Sequence, residues 1–174
     1  LETTALPAFD LRVVEITNLV LAGQVTDAPI ANAAVRVTAG SLTFAATADP
    51  GGNFSVPVTL RAGDFDAMAL IEIRASGVDA QDAVELVSVL GSIADVVAAA
   101  GDDEVLGATE SSRVNVTHLS TARYLLAADY NGGSDPGDAA SLAQAEAAIP
   151  PDTLLDVAAL IKLIVDQDLI AIPG

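Results

Sequence analysis

Asp129, Asn131, Gly133, Asp135 and Asp138 gather oxygen donors in one short stretch, the donor type that hard cations such as calcium favour. A regular twelve-residue calcium loop opening at Asp129 would need glycine sixth and a bidentate glutamate twelfth. Ser134 and Ala140 stand there, so that loop is excluded. What is left is an irregular calcium site on Asp129, Asn131, Asp135 and Asp138; no other cofactor is expected. A second acidic run, Asp102-Asp103-Glu104, follows Gly101 and reads as charge complementing the dipole of a following helix. His118 is the only histidine. With Ser111, Ser112 or Ser120 it could serve acyl transfer, but no G-x-S-x-G turn is present, and a polar residue near a helix start is the expectation. One imidazole and no cysteine leave no ligand set for a catalytic zinc. Paired carboxylates could hydrolyse glycosides, yet there is no tryptophan and only Tyr124 and Tyr130 to wall a sugar cleft. Gly51-Gly52 and Gly132-Gly133 lack the phosphate-loop pattern and read as turns. No catalytic residue is assigned, and the chain is expected not to be an enzyme.

The elements that must position these residues follow from composition and period. The 174 residues are 52% hydrophobic, mostly aliphatic, which is enough for a packed core. A net charge of −17 with seven scattered Lys and Arg excludes a nucleic-acid partner, since phosphate binding needs clustered cations. Anionic membrane surfaces are disfavoured for the same reason. No apolar run is long enough to span a bilayer; the best, Leu154 to Val165, is broken by Asp156 and Lys162. The chain opens at Leu1 without a signal sequence and closes on Ile172-Pro173-Gly174, which reads as a mature or trimmed chain.

Residues 1–16 read as a lead-in, with a loosely attached strand around Leu11 to Ile16. From about Leu19 to Leu90 the hydrophobic period is two. Val35 and Val37, then Phe54, Val56 and Val58, then Ile71 and Ile73 each alternate with polar or small neighbours, giving strands with one buried face. Leu86, Ser88 and Leu90 close the set. Gly, Pro and Asp cluster between the strands at turn positions. Beyond Gly91 the period becomes 3.6. Ile93, Val96, Val97 and Ala100 share a helical face; Leu119, Ala122, Leu125 and Leu126 form another, with Thr117 as N-cap. Leu142, Ala145 and Ile149 follow, capped by Asp135 or Asp138. A last helix, about Thr153 to Gln167, is apolar nearly all round, which predicts a central bundle position or a contact between copies. The expected organisation is α+β, segregated: a lead-in at 1–16, an antiparallel β-sandwich at 17–90, and a small α-helical bundle at 91–174.

The β-half resembles the carboxypeptidase regulatory-like domain, a transthyretin-type, Ig-like sandwich. The resemblance rests on Gly23, Val25 and Asp27; on Pro29, Ile30, Ala33, Val35 and Val37; and on Thr47, Asp49, Gly52 and Phe54, and covers about residues 19–76. It implies an accessory module of secreted or surface proteins without catalytic residues of its own. The helical half has no counterpart in that pattern and resembles an exported bacterial helical region.

The functional expectation is a non-enzymatic exported or cell-surface module for display, spacing or binding at the bacterial envelope, with a protein or envelope partner. Its localisation would be secreted or cell envelope. The loops Asp27–Ala33, Pro50–Asn53 and Arg61–Ala67 would be its contact surface, and the 153–167 helix a homo-oligomer contact. The alternatives are an accessory domain of a larger secreted enzyme whose catalytic part lies elsewhere, and a binder of a small apolar ligand between the helices.

Overall fold

Strands form wherever the period-two stretches can bury one face. A computed structural model describes residues 15–26, 30–78 and 82–166. Most of the expected lead-in, turn residues Asp27, Ala28 and Pro29, and Gln167 lie outside them. In chain order the elements are β1 (Ile16–Gln24), β2 (Ala34–Ala39), β3 (Leu42–Thr47), β4 (Asn53–Arg61), β5 (Leu70–Ser76), β6 (Glu85–Ser92), α1 (Ile93–Ala100), β7 (Val105–Leu106), α2 (His118–Tyr130), α3 (Ala139–Ala148) and α4 (Pro151–Asp166). The class is α+β, with the helices following most of the strands.

Two sheets result, ordered β4-β1-β7 and β3-β2-β5-β6. Every pairing is antiparallel except β1 with β7. The first sheet turns Leu19, Leu21, Val56, Val58 and Leu60 inward; the second turns Val35, Val37, Ile71, Ile73 and Leu86 inward, and all belong to one hydrophobic core. Each fully buried side chain of this kind contributes about 1.5–3 kcal/mol of transfer free energy. Gly23 must be glycine for want of space: a Cβ there would lie 2.5 Å from the Val114 carbonyl oxygen and 2.8 Å from the Phe54 ring. Between β3 and β4, the Asp49 carboxylate accepts the Gly51 and Asn53 N–H groups, each at 2.8 Å. Gly52 supplies the positive φ of 79° that the turn needs.

The switch of period near residue 91 falls inside β6, whose end at Ser92 caps α1 by accepting the Asp95 N–H at 3.1 Å. Ile93, Val96 and Ala100 are buried, as the spacing predicts. Three expectations are corrected here. The Asp102-Asp103-Glu104 run opens no α-helix; a 3-10 turn over Gly101–Asp103 leads into β7, because Leu106 is drawn into the core beside Leu21. The α2 stripe of Leu119, Ala122, Leu125 and Leu126 is not the buried face. Leu119 is 36% and Leu125 48% exposed, whereas Thr121, Ala122, Tyr124 and Ala127 are buried. Small residues win because α2 lies close on β6, beside Val87 and Val89.

The third correction concerns α4, which is not a central helix. Ala158 is its one buried residue, while Leu155, Leu160 and Leu163 are 60%, 55% and 46% exposed. It packs on α2, and Ile161 and Val165 reach the edge of the main core. With α2 and α3 both set against β6, no further helix among the described residues covers its outer side. Nor is any helix among them long and apolar enough to cross a membrane.

Candidate functional site

The polar residues that come together lie where α2 and the 131–138 loop meet β5 and β6. Arg74, at a partly exposed position of β5, donates from Nε to Glu72, from Nη1 to Glu85 at 2.8 Å, and from Nη2 to the Tyr124 hydroxyl at 2.8 Å. Its guanidinium also stands over the Tyr124 ring, 5.2 Å from the centroid. Tyr124 in turn donates to the Asp135 carboxylate. The result is a relay from β5 through α2 to the loop. Partial burial works against the Arg74 charge, but the bonds to Glu72, Glu85 and Tyr124 outweigh it and hold the group more firmly protonated than usual. Burial, with the bond to Asp135, raises the Tyr124 hydroxyl above its ordinary value against the pull of Arg74. Chemically this is a latch, since the Tyr124 hydroxyl proton and one N–H on each guanidinium nitrogen of Arg74 already have an acceptor. A cleft of about 300 Å³ opens beside it, lined by Thr38, Leu70, Glu72, Asp135 and Pro136.

A second cluster sits under α3. Arg113 grips Glu146 with both terminal nitrogens at 2.7 Å, the fork geometry that makes Arg–carboxylate pairs strong. Arg123 approaches the same carboxylate at 3.9 Å. The bonds to Glu146 raise the Arg113 pKa against the effect of burial. Two cations on one carboxylate leave residual positive charge in an otherwise acidic molecule. They border an open cleft of about 260 Å³ with Ile149, Pro151 and Leu154. That cleft could take an apolar ligand bearing one carboxylate.

The calcium candidates are spread over three local roles. Asp129 is exposed near the end of α2. Asn131 follows that helix and donates its side-chain amide to the Ala127 carbonyl at 3.0 Å. Asp135 is taken by Tyr124, with Arg74 at 4.0 Å. Asp138 is the N-cap of α3: its Oδ1 accepts the Ser141 N–H at 2.8 Å, and Ser141 closes a reciprocal capping box, which lowers the carboxyl's pKa. Among the described residues no three His, Cys, Asp or Glu side chains group as metal ligands.

His118 opens α2 behind the predicted cap, Thr117, which accepts the Ser120 N–H at 3.0 Å. Burial, and then the nearby Lys162 charge, lower its pKa against the effect of Asp166. Of its candidate partners, Ser120 gives its hydroxyl to the Val87 carbonyl at 2.7 Å, a structural bond to β6. Ser111 is the residue before a 3-10 turn, and Ser112 begins it.

Sequence reasoning missed both arginine clusters. Glu72 and Arg74 two apart in a strand share its outer face, which signals an outer-face ion pair. Their link to Tyr124, fifty residues on, carries no local signal. No family model matches this chain, and neither a curated protein nor a solved structure matches it.

Proposed function

We propose that this chain is a non-enzymatic exported or cell-surface module, a transthyretin-like β-sandwich with helices packed on one sheet, used for display, spacing or binding at the bacterial envelope. The observation that carries the reading is the work of the residues on which the family resemblance rests. Asp49 closes a turn with its carboxylate, Gly52 supplies a positive φ, Gly23 admits the Phe54 ring, and Val35, Val37 and Phe54 fill the core. A motif whose described residues serve architecture fits a scaffold that presents its loops. Protease shaving of intact cells tests this: the expected result is release of the epitope from the outside, and a protein recovered only from the cytoplasm overturns it. A broad hydrolase panel is expected to give no turnover; turnover abolished by His118→Ala would reverse the assignment.

A second reading, binding of a small apolar ligand, is favoured by the cleft of Arg113, Arg123, Ile149, Pro151 and Leu154. Native mass spectrometry of protein purified from its own host is expected to show an added mass that Arg123→Glu removes. A mass equal to that of the bare chain counts against it.

A further inference from the structure

An unpaired strand edge is a template for another strand, and proteins block such edges with proline, charge, brevity or a covering element. Among the described residues three of the four sheet edges are blocked in this way. β7 is two residues long. β4 has Pro57 at an outward position: Val25 donates to Gly52 in the register that pairs β1 with β4, so alternate residues from Asn53 through Pro57 face away from β1. Pro57 has no N–H to offer there. β6 is closed by side chains, with the Val87 N–H bonded to Thr121, the Val87 carbonyl to Ser120, and the Val89 carbonyl approached by Arg113.

Among the described residues β3 has none of these guards. Its six residues, Leu42 to Thr47, include no proline and no charge. The two-residue hairpin over Gly40 and Ser41 makes Ala39 and Leu42 a hydrogen-bonded pair, so Leu42, Phe44 and Ala46 bond β2. The N–H and C=O groups of Thr43, Ala45 and Thr47 therefore point outward, and no hydrogen bond to another described residue takes them. The helices cover β6 rather than this side, and an open groove of about 500 Å³ runs beside the edge over Arg36, Ala45, Thr47 and Ser76.

We infer that β3 pairs with β3 of a second copy of this chain, antiparallel about a two-fold axis at Ala45, joining two four-stranded sheets into one of eight strands. The fit comes from the strand itself. A register centred on Ala45 sets Thr43 opposite the partner copy's Thr47 and Ala45 opposite its equivalent. These are the residues whose backbone groups face outward, so every free donor meets a free acceptor. Their side chains lie on one face, where two Thr–Thr pairs are favourable and alanine at the axis leaves room. The strand is uncharged, so the −17 of each copy opposes association only at longer range, where salt screens it. A six-residue seam is small for a stable interface, so the dimer forms at high protein concentration and strengthens with salt.

Sedimentation of the full chain up to high-micromolar concentration reads the association. Dimer is expected to increase as salt rises, and Ala45→Lys, which sets two cations at the axis, weakens it at least about tenfold. The chain has no cysteine, so Ala45→Cys with a short bismaleimide gives a covalent dimer. Ser41→Cys does not, because its two copies would lie about 27 Å apart in this register. Circular dichroism of each variant checks that it folds, and the cross-linking comparison does not depend on Ala45→Lys. A chain that stays monomeric throughout overturns the inference. So does a dimer that Ala45→Lys leaves intact and Leu155→Glu with Leu163→Glu breaks, since that would assign association to α4.

Discussion

β4 and β6 are strands of similar length in opposite sheets, and they are held in place differently. Along β4, Phe54, Val56, Val58 and Leu60 are buried while every residue between them is exposed. Along β6, Leu86, Val87, Ser88, Val89 and Leu90 are all buried. Leu86 and Leu90 face the main core, and Val87 and Val89 face the helices. β4 is thus a wall with one wet side, and β6 is an internal rail between two cores. A strand covered on one face depends on its apolar side chains alone. One covered on both faces must also satisfy its edge, because water no longer reaches its backbone.

The largest effects should separate the two cores. Leu60→Ala on β4 opens a cavity in the main core and is expected to cost about 2–5 kcal/mol of global stability by urea titration. Val87→Ala on β6 trims the smaller core and should cost roughly 2–3 kcal/mol, at about 0.8 kcal/mol for each of the methylene-sized groups lost plus a cavity term. Hydrogen exchange sharpens the contrast. Val87→Ala should speed exchange in α2 and α3 more than in β4, whereas Leu60→Ala should speed it throughout. Equal loss of protection in both regions for both variants would mean that the helices and sheets open as one unit.

The next effect concerns the β6 edge. Thr121 accepts the Val87 N–H at 2.9 Å and donates to the Thr117 carbonyl at 2.8 Å. Thr121→Val keeps the shape and strands a buried N–H, for an expected loss of about 1–3 kcal/mol. The matched change on β4 is Thr59→Val, where the hydroxyl meets Asn18 at 3.3 Å on the exposed face. It should stay within about 0.5 kcal/mol of wild type. If the two cost the same, the edge of β6 is not sealed by α2.

The same contrast explains what could be read from the sequence. Period two is visible in β4 because Ser55, Pro57 and Thr59 interrupt the apolar residues. In β6 only the residues facing the main core show it, and Val87 and Val89 look like strand exceptions until α2 is laid on them. Thr117 as N-cap and Leu142 with Ala145 as the inner face of α3 were legible, because caps and stripes are local. The buried face of α2 was not, because Leu119 and Leu125 outweigh Thr121 and Ala127 in any apolar pattern. The exposed side of α4 depends on where α2 and α3 are committed, which no spacing within α4 records. Most of the Arg74 latch is invisible for the same reason: beyond the local pair with Glu72, it joins residues 85, 124 and 135 by tertiary contact alone.

That latch gives a smaller and pH-dependent prediction. Tyr124→Phe removes a hydroxyl that receives from Arg74 and donates to Asp135, for an expected loss of about 1 kcal/mol near neutral pH. Because the folded-state pKa of Tyr124 is raised, its contribution is complete below the unfolded value near 10 and is lost as pH rises through the folded value. The urea midpoint of wild type should therefore hold its lead below about pH 9 and fall toward that of the variant as pH rises from about 10 through the folded value. A gap that stays constant over that range would remove the hydroxyl from the balance.

The smallest expected effect tests whether the 129–138 stretch is held by a cation or by the protein. At the β3–β4 turn, the Asp49 carboxylate is already filled by two backbone N–H groups and the Asn53 amide. Asp138 repeats that arrangement at the start of α3, and Asp135 answers Tyr124 and Arg74. A cation binding there would have to draw Asp135 away from its latch and Asp138 from its cap. Removing the cap alone costs about 1 kcal/mol, so calcium would stabilise the fold only if its ligation exceeded both losses. Thermal scans in EDTA and in millimolar calcium should therefore give the same midpoint. A rise in calcium that Asp129→Asn abolishes would show that the loop rearranges around the ion and that the latch is its unliganded state.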